Sequence, residues 1–225
     1  MAQQKAKKSD QNVKLAVDNC IFTVRQGKLH ILLIQMKEKF AGEWALPGGL
    51  IENNETLDQA AKRILKEQTS VANVYLEQLY TFSDIRRDPF GRVVSTAYFS
   101  LIPDDSVRLK TTVKYATVRW WEVAKLPRLA YDHEKVADTA KRRLQGKISY
   151  SNIAWALLPD KFTLTELQKV YEAILGRSLD KRNFRKKLLN LDLIMATAEQ
   201  SRNGAHRPAR LFQFKDKLPK NVAII

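Results

Sequence analysis

The chain has 225 residues, 44% of them hydrophobic, and a formal net charge of +15 at pH 7. That length holds one large domain or two modest ones, and no apolar run approaches the roughly 18 residues that a bilayer span needs. The lone cysteine, Cys20, excludes an intramolecular disulfide and a cysteine metal cage, and the positive charge points to a polyanion partner.

Residues 1–11 are polar, carry Lys5, Lys7 and Lys8 and have no apolar core, so a disordered basic tail is expected there rather than a secretory signal. Residues 13–24 and 29–36 are rich in β-formers and flank Gln26-Gly27, which predicts two strands of a mixed sheet. Residues 44–49 (WALPGG) read as a loop, and 57–68 as a helix with Leu57, Ala60, Ala61, Ile64 and Leu65 at helical spacing. Strands are predicted over 74–82, 93–102 and 118–121, and a helix over 132–144. Together these make an α+β domain, 12–146, with helices packed on a sheet.

Gln145-Gly146-Lys147 reads as a hinge, after which the pattern becomes short helices over 151–158, 164–175 and 181–190. Residues 194–214 read as a hairpin turning at Arg202-Asn203-Gly204. Three helices and a hairpin are a winged helix-turn-helix plan for 147–225. Basic charge is densest here: 177–187 hold six basic groups against Asp180 alone. In the helix over 181–190, Phe184 and Leu188 repeat at core spacing, with Leu191 just beyond it, while Lys181, Arg182, Asn183, Arg185 and Lys186 are left to point outward. Apolar anchors behind and donors in front suit a helix in the DNA major groove, although a solvated basic face has the same pattern. Arg202, His206, Arg207 and Arg210 of the hairpin would follow the phosphate backbone or the minor groove.

Two motifs in the first domain point further. Gly49, Glu55, Arg63, Leu65, Glu67 and Val71 fall on the pattern G-x5-E-x7-R-E-U-x-E-E-x-G-U, where U is aliphatic, and in this respect the chain resembles the Nudix hydrolases. Three positions depart from it: Ile64 and Gln68 stand where glutamates belong, and Ser70 where a glycine belongs. In an active enzyme those carboxylates hold Mg²⁺, which bridges a diphosphate and activates water. Positions 64, 67 and 68 share one helix face, and Ile64 offers no oxygen, Gln68 only a neutral carbonyl. No metal, no cofactor and no catalysis are therefore expected. Glu55 and Arg63 are either a ligand-binding pair or a fold-holding ion pair. Residues 84–93 (DIRRDPFGRV) resemble the D-x2-R-D-P-x-G-R-V segment of Nudix proteins that handle ADP-ribose, with Arg86, Arg87 and Arg92 either ligand contacts or solvated turn charges.

The whole span 13–214 resembles Nudix-related transcriptional regulators, among them the ADP-ribose-sensing NrtR group and sugar regulators of the AraR type. The resemblance implies a Nudix-like α/β/α sandwich followed by a winged helix-turn-helix. It also implies a cytoplasmic homodimer on a palindromic double-stranded DNA operator, responding to a small effector and most simply repressing. Asp18, Trp44, Glu55, Arg86, Asp88 and His133 are the candidate effector contacts, with Trp44 as an aromatic wall. His133, at a helix start, is equally a capping or packing residue. Because the lost metal cluster removes one reason to bind a diphosphate, a pentose, L-arabinose above all, is expected ahead of ADP-ribose. An active hydrolase with a basic appendage and an RNA-binding scaffold are the rival classes.

Overall fold

A computed structural model describes residues 12–69, 74–104, 109, 115–201 and 208–225. The expected basic tail and the wing residues Arg202, His206 and Arg207 lie outside the described residues.

The sheet grows from a hairpin. β1 (Lys14–Arg25) and β2 (Lys28–Met36) pair antiparallel across Gln26-Gly27. Both turn residues have positive φ, 49° and 73°, which matches the right-handed twist of the flanking strands. β6 (Val93–Leu101) adds in parallel to the other side of β1, and β5 (Tyr75–Phe82) pairs antiparallel with β6. β7 (Tyr115–Glu122) lies along β2. The segment expected to be a plain loop contributes two short strands, β3 (Trp44–Ala45) on β2 and β4 (Gly48–Leu50) on β1.

Strand alternation sorts the side chains of β1 between two layers. Val17 and Ile21 pack under α1 (Leu57–Thr69) with Ala60, Ala61, Ile64 and Leu65. Cys20 and Phe22 face α2 (His133–Tyr150), whose Val136, Ala137, Ala140, Leu144 and Ile148 are buried. This is an α/β/α sandwich.

α2 corrects the expected hinge. The helix continues through Gln145, Gly146 and Lys147 to Tyr150, because Leu144 and Ile148 extend its buried face and one interior glycine costs only about 1 kcal/mol against alanine. Residues 151–158, expected to be a helix, form instead a 3-10 turn over Ile153–Leu157. α3 (Leu164–Leu175) begins with a reciprocal cap between Thr163 and Glu166 and ends on left-handed Gly176. α4 (Lys181–Asn190) is capped by Asp180, and β8 (Ile194–Ser201) pairs with β9 (Ala209–Phe214). Phe162 bridges Phe212, completing the winged-helix sheet.

The two parts share one core. Leu29, Ile31 and Leu33 of β2 join the same cluster as Leu167, Val170, Tyr171 and Ile174 of α3. Gln145 Nε2 donates to Ile174 O at 2.9 Å. Residues beyond β9 return to the end of α2: Val222 N donates to Tyr150 O at 2.7 Å, Ile224 N to Ser149 O at 2.8 Å, and the Ile224 side chain is buried.

Gly146 tests whether this segment is a helix or a hinge. A Cβ there meets nothing within 4 Å, so Gly146→Ala is expected to raise the unfolding free energy by about 0.5–1 kcal/mol in urea titration. A loss of stability would mean that the segment needs the freedom of glycine.

Candidate functional site

A cleft of about 260 Å³ opens among the start of β1, β4, the 87–91 turn and the residues leading into α2. Its floor is a buried ion-pair network. Arg87 Nη2 donates to Asp18 Oδ2 at 2.9 Å and to Asp132 Oδ1 at 2.7 Å, and Arg87 Nε donates to Asp132 Oδ2 at 3.1 Å. Ser95 Oγ donates to Asp18 Oδ2 at 2.7 Å. His133 Nδ1 accepts the Leu46 N–H at 3.0 Å, which leaves the ring proton on Nε2, 3.5 Å from Asp18 Oδ1. Burial alone would raise the Asp18 carboxyl; His133, Arg87 and Ser95 outweigh it and hold the group well below the usual carboxylate range. Burial, and then the Asp18 charge, push the neighbouring Cys20 thiol up, so it stays protonated and inert.

Gly48 is required by this floor. A Cβ on it would stand 2.5 Å from Asp18 Oδ1 and 2.8 Å from Val17 O. Its carbonyl accepts the Tyr115 hydroxyl at 3.1 Å. The outer wall is aromatic: Phe40 meets Phe90 edge-on at 5.6 Å and Tyr131 at 4.7 Å. Phe40 and Tyr131 both have left-handed backbones, φ 57° and 58°. Such conformations in residues with a Cβ cost on the order of 1–3 kcal/mol each and concentrate at ligand sites.

Of the six candidate contacts, Asp18 and His133 lie in the floor of the cleft and Asp88 in its wall. The other three candidate contacts are elsewhere. Trp44 packs against Trp121 at 5.1 Å, because strand alternation gives the cleft to its neighbour Ala45. Glu55 is held by Arg63, with Nη2 to Oε1 at 2.6 Å and Nε to Oε2 at 3.0 Å, which brings its carboxyl down to about 2. It is the fold-holding pair rather than a cleft residue. Arg86 is exposed; the Asp84 carboxylate captures its backbone N–H at 2.8 Å, and the turn so formed sends Arg87 inward in its place. Arg87 had been weighed only alongside Arg86 and Arg92 as a ligand contact or a turn charge, and Phe90, Tyr131 and Gly48 were not among the chosen contacts. Positive φ and the phase of a turn leave no mark in hydrophobic spacing.

The Nudix helix does not suit a divalent cation. Ile64 and Gln68 are 3% and 1% exposed and face the sheet, and Glu67 ion-pairs with Arg63 at 3.3 Å. Among the described residues no group of three or more His, Cys, Asp or Glu side chains is placed to hold a metal. The sequence expectation of one shared face for 64, 67 and 68 needs amending, since Glu67 lies at the exposed margin while the other two are covered.

On α4, Lys181, Arg182, Asn183 and Lys186 are exposed, with Phe184 and Leu188 buried behind them. Arg185 leans back, its Nη2 donating to Thr165 Oγ1 at 2.9 Å. Arg210 is exposed on β9.

A sandwich with a cleft of this kind, fused through one helix to a winged helix with a basic outer face, defines a Nudix scaffold joined to a winged-helix head of the DNA-binding type. Residues 14–146 match the NUDIX domain family, and residues 154–214 match the NrtR DNA-binding winged helix domain. An ADPR responsive transcriptional repressor of Acinetobacter baylyi is 38% identical over 206 residues, 89% of this chain and 81% of the relative. Shewanella oneidensis NrtR complexed with a 27mer DNA superposes with a TM-score of 0.79 at 35% identity, covering 89% of this chain and 93% of that one. The NUDIX domain of the same regulator complexed with ADP ribose superposes with a TM-score of 0.55 at 34% identity, over 62% of this chain and 94% of that one. The chain belongs to the NrtR family, a Nudix domain followed by a winged helix. The ligand named among these relatives is ADP-ribose; none of them names the expected pentose or the AraR group.

The floor makes an acid-stability prediction. A carboxylate depressed by folding stabilises above its unfolded pKa, near 4, and loses that stabilisation as pH falls toward its folded value. Asp18→Asn, which leaves Arg87 with Asp132 alone, is expected to lower the unfolding free energy at pH 7 by about 3 kcal/mol. It is also expected to flatten the pH dependence below pH 4. A variant as acid-sensitive as the parent in urea titrations would contradict this account of the floor.

Proposed function

We propose that this protein is an ADP-ribose-responsive transcriptional repressor that binds twofold-symmetric DNA as a homodimer in the cytoplasm, and that its Nudix domain binds its effector without hydrolysing it. The observation that carries the reading is the pairing, within one continuous core, of a cleft whose adjoining Nudix helix has lost its metal-binding face with an exposed basic helix on a winged-helix frame.

ADP-ribose replaces the expected pentose for a physical reason as well as by kinship. The pentose argument equated losing the metal with losing affinity for a diphosphate. The cleft carries its own cations: Lys14 and Lys39 line it, and neither has a carboxylate partner among the described residues. A neutral pentose needs neither lysine and leaves much of an aromatic-walled, 260 Å³ cleft unfilled. An effector changes DNA affinity only by binding two states of the protein differently. α2 supplies a mechanical route: its first residues border the cleft and its last ones sit under the winged helix. A twofold dimer would present two α4 helices to successive major grooves.

Duplexes selected from a random pool provide the operator for the test. ADP-ribose is expected to weaken binding to them in fluorescence anisotropy, and L-arabinose to leave it unchanged. ADP-ribose incubated with the protein and Mg²⁺ is expected to remain intact; steady release of AMP would make the chain an enzyme instead.

The same duplexes distinguish base readers from phosphate holders on α4. Arg182→Ala is expected to weaken specific binding by about 1–3 kcal/mol and relax discrimination at one base pair. Lys186→Ala is expected to reduce the salt dependence by roughly one phosphate without changing base preference. Loss of neither discrimination nor salt dependence would take α4 out of the groove.

A further inference from the structure

The rim of the cleft carries an aromatic run whose inner members, Phe40 and Tyr131, pack against the cluster of Ile34, Ala45, Tyr115 and Ala130. Phe90 sits at the tip of the 88–91 turn and is 51% exposed while lining the cleft. The turn is closed by the Asp88 carboxylate accepting the Phe90 N–H at 2.8 Å, and Gly91 follows with φ 155°. Phe40 braces it edge-on and reaches Tyr131, whose ring lies 5.1 Å from His133. The run therefore leads from the mouth to the buried floor. Phe90 stays half-exposed beside Phe40, and the Lys39 ammonium stands 4.2 Å over its ring. A flat π-surface beside an exposed cation suits a base joined to a phosphate.

We propose that Phe90, braced by Phe40 and Tyr131, is the specificity-determining residue of the cleft: it stacks on the purine base of the effector while Lys39 moves from the ring to the diphosphate. This rests on the reading of the effector as ADP-ribose and deepens it. The rim makes the protein a reader of the nucleoside half of its ligand. It explains how a site lacking a metal cluster discriminates a dinucleotide-like effector from simple sugar phosphates: base stacking substitutes for metal–phosphate bonds, and the floor network stays intact beneath.

Calorimetric titration of the full chain with ADP-ribose, AMP and ribose 5-phosphate tests this, using the parent, Phe90→Ala, Phe90→Trp and Lys39→Ala, each with its thermal unfolding measured. Phe90→Ala, at a half-exposed site, is expected to fold normally and to weaken ADP-ribose and AMP about tenfold or more. Phe90→Trp is expected to keep or improve both affinities. Ribose 5-phosphate is expected to bind Phe90→Ala and the parent alike, or neither measurably. Lys39→Ala is expected to weaken every phosphate-bearing ligand that binds. Equal loss of ADP-ribose and ribose 5-phosphate in Phe90→Ala, or no loss of either nucleotide, overturns the rim while leaving ADP-ribose as the effector. A parent that binds AMP but not ADP-ribose, with the AMP signal lost in Phe90→Ala, keeps the rim and removes ADP-ribose. A parent that binds neither nucleotide removes both.

Discussion

The bridge from Asp18 through Arg87 to Asp132 fixes more of this molecule than any other interaction. It joins the middle of β1, the turn after β5 and the residue that opens α2, three segments far apart in sequence. Asp18 and Arg87 side chains are 7% and 4% exposed, so each charge depends on the other for its place in the interior. Removing charges from water is expensive and is offset only when the geometry and the remaining hydrogen bonds are good. Ser95 and His133 supply those bonds, and Gly48 supplies the space. The network therefore acts as a rivet whose position sets the floor of the cleft, the height of β4 and the start of α2.

From that rivet the architecture reads as one object. α2 leaves Asp132, crosses the sheet with its apolar face down and arrives beneath the winged helix without a break. There Gln145 holds the end of α3, and the same hydrophobic cluster runs from β2 into the head. Under the proposed function, occupancy of the cleft has to reach the helix that meets DNA, which needs stiffness along the way. A packed core supplies it, because interiors pass on strain rather than absorb it. Ile64 and Gln68 contribute in a different manner: turned toward the sheet, they make α1 a packing element, where the related hydrolases use that surface for chemistry.

Much of this was legible in the residues. β-formers around Gln26-Gly27 marked the first hairpin, helical spacing placed α1, α3 and α4 nearly to their ends, and the degenerate Nudix pattern announced the sandwich. What was not legible depended on contacts between distant segments. Gly146 looked like a hinge because local propensity is blind to Leu144 and Ile148 being buried on either side of it. Trp44 looked like a wall because nothing local says which face of a two-residue strand meets the cleft. Arg86 and Arg87 differ by one step in a turn, and the Asp84 hydrogen bond to the Arg86 backbone decides which one goes inward. The expectation of a pentose had another source: absence of a metal cluster was taken as absence of phosphate affinity, while the aromatic rim and its lysines come together only in three dimensions.

The returning segment after β9 bears on how the molecule is made. Ile224 enters the core between α2 and the head, and the backbone of residues 222–225 is tied to Ser149 and Tyr150. The segment therefore clamps the last turn of α2, the helix that both halves share, so fraying of that helix end is coupled to the loss of Ile224 from the core.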